Sequence, residues 1–257
     1  MEKEKFSLFG KNTDQSASSP HDKFFTYAFS DKENLKDLLK QYLPTSVLSY
    51  IDLSTLSITK ESYVDEALRK SQSDLLVTTT LKENKGKKPV LIYILLEHKA
   101  YPDRWTIFQL LKYMVRIWEK RTGHGGKESI EQTTKSKKNV SLPVIIPIIF
   151  YHGRSTWNYP LSFEDLFEKG RPELKQYIPR FKADLIDAGG YEKANPTAGS
   201  LFHAAMTLFK YSFRSLDDHV SEILRIIASS PLDQRTKDFL SAIFRYILIA
   251  GRKGNRD

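Results

Sequence analysis

The stretch Leu91–Lys99, LIYILLEHK, is an apolar run that ends in charged residues, and it decides the fold of the chain. Side chains alternate between the two faces of a β-strand, so Glu97 and Lys99 share one face and His98 lies on the other. A buried strand has no packing reason to end in two charges on one face, because removing charge from water is costly unless the charge is paired or binds a metal. The stretch therefore predicts a strand whose end carries a functional site.

A second acidic residue, Asp74, opens the apolar run at residues 73–81, SDLLVTTTL. Two carboxylates near strand ends, together with one lysine, can hold a divalent metal against a phosphate. Both features also have purely structural interpretations. Glu97 and Lys99 can form a surface ion pair that contributes little to stability, and Asp74 can cap a turn. The combined pattern favours a site that hydrolyses phosphodiester bonds.

The segments around these runs predict the element order αβββαβ. A helical spacing of apolar residues begins at Asp22 and ends at Pro44. Strands are then predicted at residues 57–64, 73–81 and 90–100, a helix at 102–122 and a strand at 143–151. The strand at 90–100, the helix at 102–122 and the strand at 143–151 predict a parallel crossover. Pro147 has no backbone N–H to donate, which predicts that the strand containing it lies at the edge of the sheet.

The predicted helix at 102–122 has an apolar stripe and a basic side. The stripe repeats every three or four residues and is expected to belong to the core; it consists of Trp105, Phe108, Leu111, Val115 and Trp118. Lys112 and Arg116 lie on the basic side. Because this helix directly follows the strand that ends in Lys99, we expect its basic side to border the site and to bind substrate.

The chain divides into three segments. Residues 1–20 are polar and rich in Ser, Asn and Asp, which predicts a disordered leader. Residues 21–167 carry the αβββαβ pattern, and residues 168–257 predict a mostly helical C-terminal region. Helices in this later part of the chain are predicted at residues 162–170, 195–215, 217–229 and 231–249, and a short strand within 181–190.

The composition is that of a globular protein with a basic surface. The 257 residues are 40% hydrophobic and 28% charged, and the formal net charge is +9. A basic surface neutralises phosphates, so nucleic acid is a natural partner, although a solvated surface without a ligand has the same charge. The absence of cysteine excludes disulfides and thiolate metal sites. No secretion signal and no apolar run near the ~20 residues that cross a bilayer are found, so we expect a cytoplasmic protein without a membrane partner.

The acid that opens one strand and the E-x-K that closes the next resemble the PD-(D/E)XK nuclease superfamily. More narrowly, the chain is similar to the Rpn family of recombination-promoting nucleases, which are also described as transposases. Six stretches carry the likeness: PHDKFF (20–25), SYVDEALRKSQSDLLV (62–77), YILLEHKAYPD (93–103), FQLLKYMVRIWEK (108–120), LPVIIPIIFYHG (142–153) and WNYPLSFEDLF (157–167).

The resemblance implies a restriction-endonuclease-like α/β core with a mixed central sheet, and a helical C-terminal region that is truncated relative to other members. It implies that Asp74 and Glu97 bind the metal and that Lys99 is the catalytic lysine, at a position where many relatives have glutamine. It implies a phosphate contact for Gln109. Asp22 matches the acid of the family's His-Asp pair, whose role the resemblance leaves open.

The residues themselves add further metal ligands. The ring of His98 faces away from Glu97, so its backbone carbonyl is the expected ligand, because oxygen atoms suit magnesium. Glu61 and Glu66 flank the first predicted strand, and either of them can supply a third acid.

Together these features predict a DNA endonuclease that depends on Mg²⁺ or another divalent ion. We expect low sequence specificity and a link to DNA recombination or mobile elements. Two alternatives stay open: a DNA-binding or toxin-like interaction protein with weak catalysis, and a nuclease that acts on RNA. The sequence does not determine the oligomeric state.

Overall fold

The structure is a computed structural model that describes residues 19–59, 75–82, 91–122, 141–168, 170–193 and 199–254. Within these residues the α-helices are α1 (Pro20–Ser30), α2 (Lys32–Tyr42), α3 (Thr45–Leu48), α4 (Thr106–Thr122), α5 (Ser200–Tyr211), α6 (Leu216–Ala228) and α7 (Gln234–Gly254). The strands are β1 (Ile51–Ile58), β2 (Leu75–Leu81), β3 (Leu91–Lys99), β4 (Val144–Tyr151) and β5 (Asp184–Asp187). Short 3₁₀ helices lie at Phe163–Leu166, Pro172–Tyr177 and Ala188–Gly190.

The five strands form one mixed sheet in the order β1-β2-β3-β4-β5. The β1–β2 and β2–β3 pairs are antiparallel, whereas the β3–β4 and β4–β5 pairs are parallel. The change from antiparallel to parallel occurs at β3, because α4 carries the chain back before β4 begins. The predicted fold class is confirmed: a mixed α/β sheet with C-terminal helices, consistent with a restriction-endonuclease-like fold.

Helices cover both faces of the sheet, and the alternation along β3 shows which residues contact which layer. Ile94 and Leu96 belong to a core cluster shared with α1, α2, α5, α6 and α7. Tyr93 and Leu95 point to the opposite face and belong to a second cluster with α4. By the same alternation the side chain of Glu97 lies on the α4 face, as the period of two predicts.

The larger core cluster joins the two ends of the chain. Phe29 of α1 and Phe150 of β4 both lie against Phe209 of α5, with ring centroids 6.2 Å and 5.0 Å apart. Tyr246 of α7 belongs to the same cluster, and β5 extends the central sheet. Residues on both sides of position 167 therefore contribute to one core.

Two predictions about the strands are wrong. The first strand spans Ile51–Ile58 and so begins six residues before the predicted start at 57; residues 60–64 of the predicted range lie outside the described residues. The pairing of this strand with β2 shifts register between Asp52 and Ser57. The strand that contains Pro147 is internal rather than at the edge, since β4 pairs with both β3 and β5. Proline is tolerated there because the ladder with β5 begins one residue later, at Ile148.

The prediction for the buried side of α4 is wrong for three of its five residues. Leu111 and Trp118 are partly buried against the second core cluster, whereas Trp105, Phe108 and Val115 are exposed. The buried residues of this helix include Ile107, Leu110, Met114 and Ile117. From the predicted stripe, Trp105 is 59% exposed and Phe108 is 45% exposed. The helix therefore turns its aliphatic side to the sheet and leaves two aromatic rings in solvent near its start.

The remaining predicted elements lie near their expected positions, apart from the helix at residues 162–170, of which the structure has only the 3₁₀ helix Phe163–Leu166. Of the predicted leader at residues 1–20, residues 1–18 lie outside the described residues. Within the described ranges, no helix combines the length and the hydrophobicity that a membrane span requires.

Candidate active site

Glu97 lies at the buried end of β3, where its side chain is only 1% exposed. Its Oε1 atom lies 2.9 Å from Lys99 Nζ and accepts a hydrogen bond of 3.0 Å from Gln109 Nε2. A buried carboxylate requires such partners, because its desolvation is otherwise uncompensated. The strand supplies Glu97 and Lys99, and α4 supplies Gln109 from above the same face.

The three residues form a closed ring of polar contacts. Lys99 Nζ donates to Gln109 Oε1 at 3.0 Å, while Gln109 Nε2 also lies 2.5 Å from the hydroxyl oxygen of Tyr113. Tyr113 was not a predicted site residue, although its spacing of four residues from Gln109 on a helix puts the two side chains on one face. The ring fixes the position of the Lys99 ammonium group next to the carboxylate.

One oxygen of Glu97 remains without a partner. Its Oε2 atom is buried, and no hydrogen-bond donor among the described residues reaches it. The described part of the chain holds no group of three or more His, Asp or Glu side chains that could bind a metal. A metal site at Glu97 therefore requires ligands beyond the described carboxylates.

Three predicted acids, Asp74, Glu61 and Glu66, lie outside the described residues. The nearest described neighbour of Asp74 in the chain is Leu75, which pairs with Leu96, the residue before Glu97. The start of β2 and the end of β3 are thus neighbours in the sheet.

The predicted substrate-binding residues come together along α4. Gln109, Lys112 and Arg116 line a cavity of about 330 Å³, whose wall also includes Trp105, Phe108 and Tyr113. This volume falls within the range typical of ligand pockets. Because Gln109 contacts Glu97, the cavity adjoins the buried carboxylate, and its cations can meet an anionic ligand there.

His98 and Asp22 meet on the opposite face of the sheet, away from Glu97. Asp22 Oδ1 lies 2.9 Å from His98 Nδ1, and since a carboxylate only accepts, Nδ1 carries the proton. Asp22 also closes the N-terminus of α1 through reciprocal hydrogen bonds with Ser19. Burial raises the pKa of Asp22, but the contacts with His98 and Ser19 together lower it by more than burial raises it. The pKa of Asp22 therefore lies below its ordinary value. Asp22 thus links α1 to the residue between Glu97 and Lys99.

Two further histidines extend this contact into a cluster that sequence reasoning missed. The rings of His98 and His152 stack with centroids 4.8 Å apart, and His21 lies 5.1 Å from His152. Ser212 donates its hydroxyl proton to a backbone carbonyl, so its Oγ accepts from His152 Nδ1 at 2.8 Å. The three histidines are far apart in sequence, and no local spacing indicates that they meet.

The cluster predicts that the protein loses stability in mild acid. Burial, reinforced by the charges of His98, His21 and Arg214, holds the pKa of His152 well below its ordinary value of 6.5. The unfolded chain therefore takes up a proton before the folded protein does, and the free energy of unfolding falls as the pH drops below about 6.5. We expect the melting temperature to decrease between about pH 7 and pH 5, and His152→Asn to flatten this dependence.

The matched control for this measurement is His219→Asn, which makes the same change at a partly exposed site on α6. The melting temperature of this variant should depend on pH as strongly as that of the wild type. If His152→Asn and the wild type lose stability in parallel, the acid sensitivity has another source.

Comparison with known proteins identifies the family. The family described as "Putative transposase, YhgA-like" matches residues 19–237, which include the sheet, the Glu97 site and most of the C-terminal helices. The chain belongs to this family. No solved structure matches the chain significantly.

Three relatives place this family among the Rpn proteins, as the resemblance predicted. Recombination-promoting nuclease RpnA of Escherichia coli (strain K12) is 25% identical over 91% of this chain and 74% of its own length. Recombination-promoting nuclease RpnD of Escherichia coli O157:H7 is 29% identical over 68% of this chain and 61% of its own length. The K12 protein "Inactive recombination-promoting nuclease-like protein RpnE" is 26% identical over 68% of the chain and 52% of its own length.

Proposed function

We propose that the protein is a divalent-metal-dependent DNA endonuclease of low sequence specificity that acts in recombination or on mobile elements. One observation carries the proposal: the carboxylate of Glu97 is buried beside Lys99 and a cation-lined cavity, and its Oε2 atom has no hydrogen-bond partner among the described residues. The names of the relatives RpnA and RpnD, both recombination-promoting nucleases, support the nuclease activity and the link to recombination.

Magnesium fits the residues at this end of the sheet. Glu97 Oε2 accepts no hydrogen bond from the described residues, and hard cations such as Mg²⁺ prefer oxygen ligands. We propose the His98 carbonyl as a second ligand. Lys99 O accepts from His152 N on the β4 side and consecutive carbonyls of a strand point to opposite sides, so the His98 carbonyl is directed to the β2 side of the strand. We propose Asp74 as the third ligand, with Glu61 or Glu66 as further candidates. When bound, the ion activates water and offsets charge on the phosphate.

The residues of the chain have separate tasks in this proposal. Hydrolysis joins a water oxygen to phosphorus, and the ester oxygen that leaves takes up a proton. Lys99 has three donors, of which Glu97 and Gln109 engage two, so that one can reach the water or a phosphate oxygen. Gln109 holds Lys99 and Glu97 at a fixed separation, which is the positioning that such a reaction needs.

Low sequence specificity follows from the kind of group in the cavity. Lys112 and Arg116 contact phosphates in our proposal, and phosphate contacts orient a strand without reading its bases.

A second candidate function has one observation in its favour, the relative RpnE, whose name says that it is inactive. On this alternative the chain binds DNA or a protein partner in the manner of a toxin and cuts weakly or not at all. A nuclease for RNA is the other alternative, because the same residues serve either backbone.

One assay separates these functions. The purified protein is incubated with plasmid, linear duplex DNA, single-stranded DNA and RNA, each with Mg²⁺ and with chelator. Cleavage of DNA in Mg²⁺ but not in chelator supports the proposal, and cutting of the circular plasmid or of internal positions shows an endonuclease. Cleavage of RNA only selects the RNA nuclease, whereas binding without cleavage with any divalent ion selects the inactive alternative.

If Lys112 and Arg116 contact phosphates, their replacement should reduce the salt dependence of DNA binding. Each lost contact lowers the slope of log affinity against log salt by about 0.9 for duplex and about 0.7 for single strands. We therefore expect the double variant Lys112→Gln, Arg116→Gln to reduce the magnitude of the slope by roughly 1.8 on duplex DNA and roughly 1.4 on single-stranded DNA. The affinity for a labelled DNA is measured in chelator at several salt concentrations.

The control pair makes the same charge change on the helices of the other face. Lys40 of α2 and Lys237 of α7 are both exposed, and their joint replacement by glutamine should leave most of the slope intact. Equal losses in the two double variants would mean that net charge, rather than the α4 cavity, governs binding.

A further inference from the structure

We propose that Trp105 and Phe108 form a stacking site for an unpaired nucleobase, so that the substrate is single-stranded or locally unpaired DNA. This inference deepens the proposed function and rests on it for the position of the strand beside Glu97. The two rings were expected in the core, yet they are 59% and 45% exposed and line the cavity with Gln109 and Lys112.

The rings are arranged so that a flat ligand can lie against them. Phe108 is backed by the buried ring of Phe163, which lies nearly parallel to it at 16° with centroids 6.3 Å apart. Trp105 meets Phe108 nearly edge-on, at 78° and 6.4 Å. The Phe163 contact holds Phe108 in place while much of its surface stays open to the cavity. Two neighbouring aromatic rings that line a cavity together offer apolar surface on which a flat ligand can stack.

The order of groups from the start of α4 onward matches the order from a base outward to its sugar–phosphate backbone. From Trp105 to Arg116 the cavity presents aromatic rings, then the Gln109 amide, then two cations. These eleven residue steps span about 16 Å at the helical rise of ~1.5 Å per residue. A base on the rings thus puts the backbone beside Gln109 and the neighbouring phosphates beside the cations.

The charge of the cavity argues for a nucleic acid rather than an apolar partner. Lys112 and Arg116 make the cavity basic, and a second copy of the chain has the same sign of charge overall, since the net charge is +9. A DNA strand offers both a flat apolar surface for the rings and phosphates for the cations. Paired bases inside a duplex have both faces covered, so the base that stacks here must be unpaired.

The test compares two ligands that differ only in their bases. A labelled single strand of about twelve nucleotides and an abasic strand of equal length carry the same phosphates. Fluorescence anisotropy in chelator measures both affinities without cleavage. Stacking of one base corresponds to a factor of roughly 5 to 150 in affinity. Trp105→Ala should lose such a factor on the ordinary strand and almost nothing on the abasic strand.

Two variants control for other causes. Trp105→Leu keeps apolar surface without a ring and should lose most of the same factor. Tyr177→Ala removes a 76% exposed aromatic ring outside the cavity and should change neither affinity. Melting curves of each variant confirm folding, which removal of exposed rings should preserve.

The outcomes separate this inference from the proposed nuclease activity. If Trp105→Ala keeps the wild-type ratio of the two affinities, the stacking site is overturned, even when the protein cuts DNA with Mg²⁺. If Trp105→Ala brings the affinities for the ordinary and abasic strands close together but no metal supports cleavage, the stacking site is supported and the nuclease activity is overturned. If Trp105→Ala changes the sedimentation of the protein from dimer to monomer and leaves both DNA affinities unchanged, the rings form a contact between copies and the inference is overturned.

Discussion

Glu97→Gln should reduce the rate of DNA cleavage in Mg²⁺ by about 10³-fold or more. The amide keeps the shape of the side chain, but its NH₂ group takes the place of one carboxylate oxygen and its charge is lost. Loss of one preorganised charged group already costs ~10²–10³ in rate, and here it also removes a proposed metal ligand. DNA affinity in chelator should stay equal or increase, because a negative charge next to the cavity disappears. Single-turnover cleavage and anisotropy measure the two effects separately.

The stability of the same variant provides a control for folding. Glu97→Gln leaves Lys99 without its charged partner, which should lower the free energy of unfolding by about 1–3 kcal/mol. Removing both charges in Glu97→Gln with Lys99→Gln should recover part of this loss while cleavage stays absent. A double variant that regains activity together with stability would show that Glu97 acts through folding rather than through chemistry.

The part of the site that the sequence could predict depends on short-range geometry. Glu97 and Lys99 share a face because the period of a strand is two, and Gln109 reaches them because α4 immediately follows β3. The parallel pairing of β3 with β4 follows from the helix between them.

The errors have a common physical cause, which is that local patterns do not say what packs against a segment. Helix α4 has apolar residues on two sides, so periodicity alone could not choose between the stripe with Trp105 and the buried side with Leu110. Strand β1 is irregular because the Asp52 side chain accepts from Ser54, which obscures its alternation. The meeting of His98 with Asp22 and His152 depends on contacts between distant parts of the chain.

Lys99→Gln should slow cleavage by about 10²–10³-fold and preserve the need for a metal. A glutamine amide can still donate a hydrogen bond to Glu97 or Gln109, but it supplies no positive charge as charge accumulates on the phosphate. Lys99→Gln leaves the Glu97 carboxylate, which is only 1% exposed, without its cation, so the melting temperature should fall at least as much as that of Glu97→Gln, and a melting curve of the variant checks folding. The measurement is the single-turnover rate at saturating DNA, with Mg²⁺ varied.

Lys112→Gln is the matched control, since it makes the same substitution in the same cavity. Lys112 binds phosphate at a distance from the carboxylate in our proposal, so its replacement should weaken affinity and leave the saturated rate nearly unchanged. The contrast between the two variants distinguishes charge at the reacting phosphate from charge that only attracts the strand. If Lys99→Gln behaves like Lys112→Gln, with weaker binding and a normal saturated rate, then Lys99 contributes to binding alone. The chemistry would then depend on the acids and the metal.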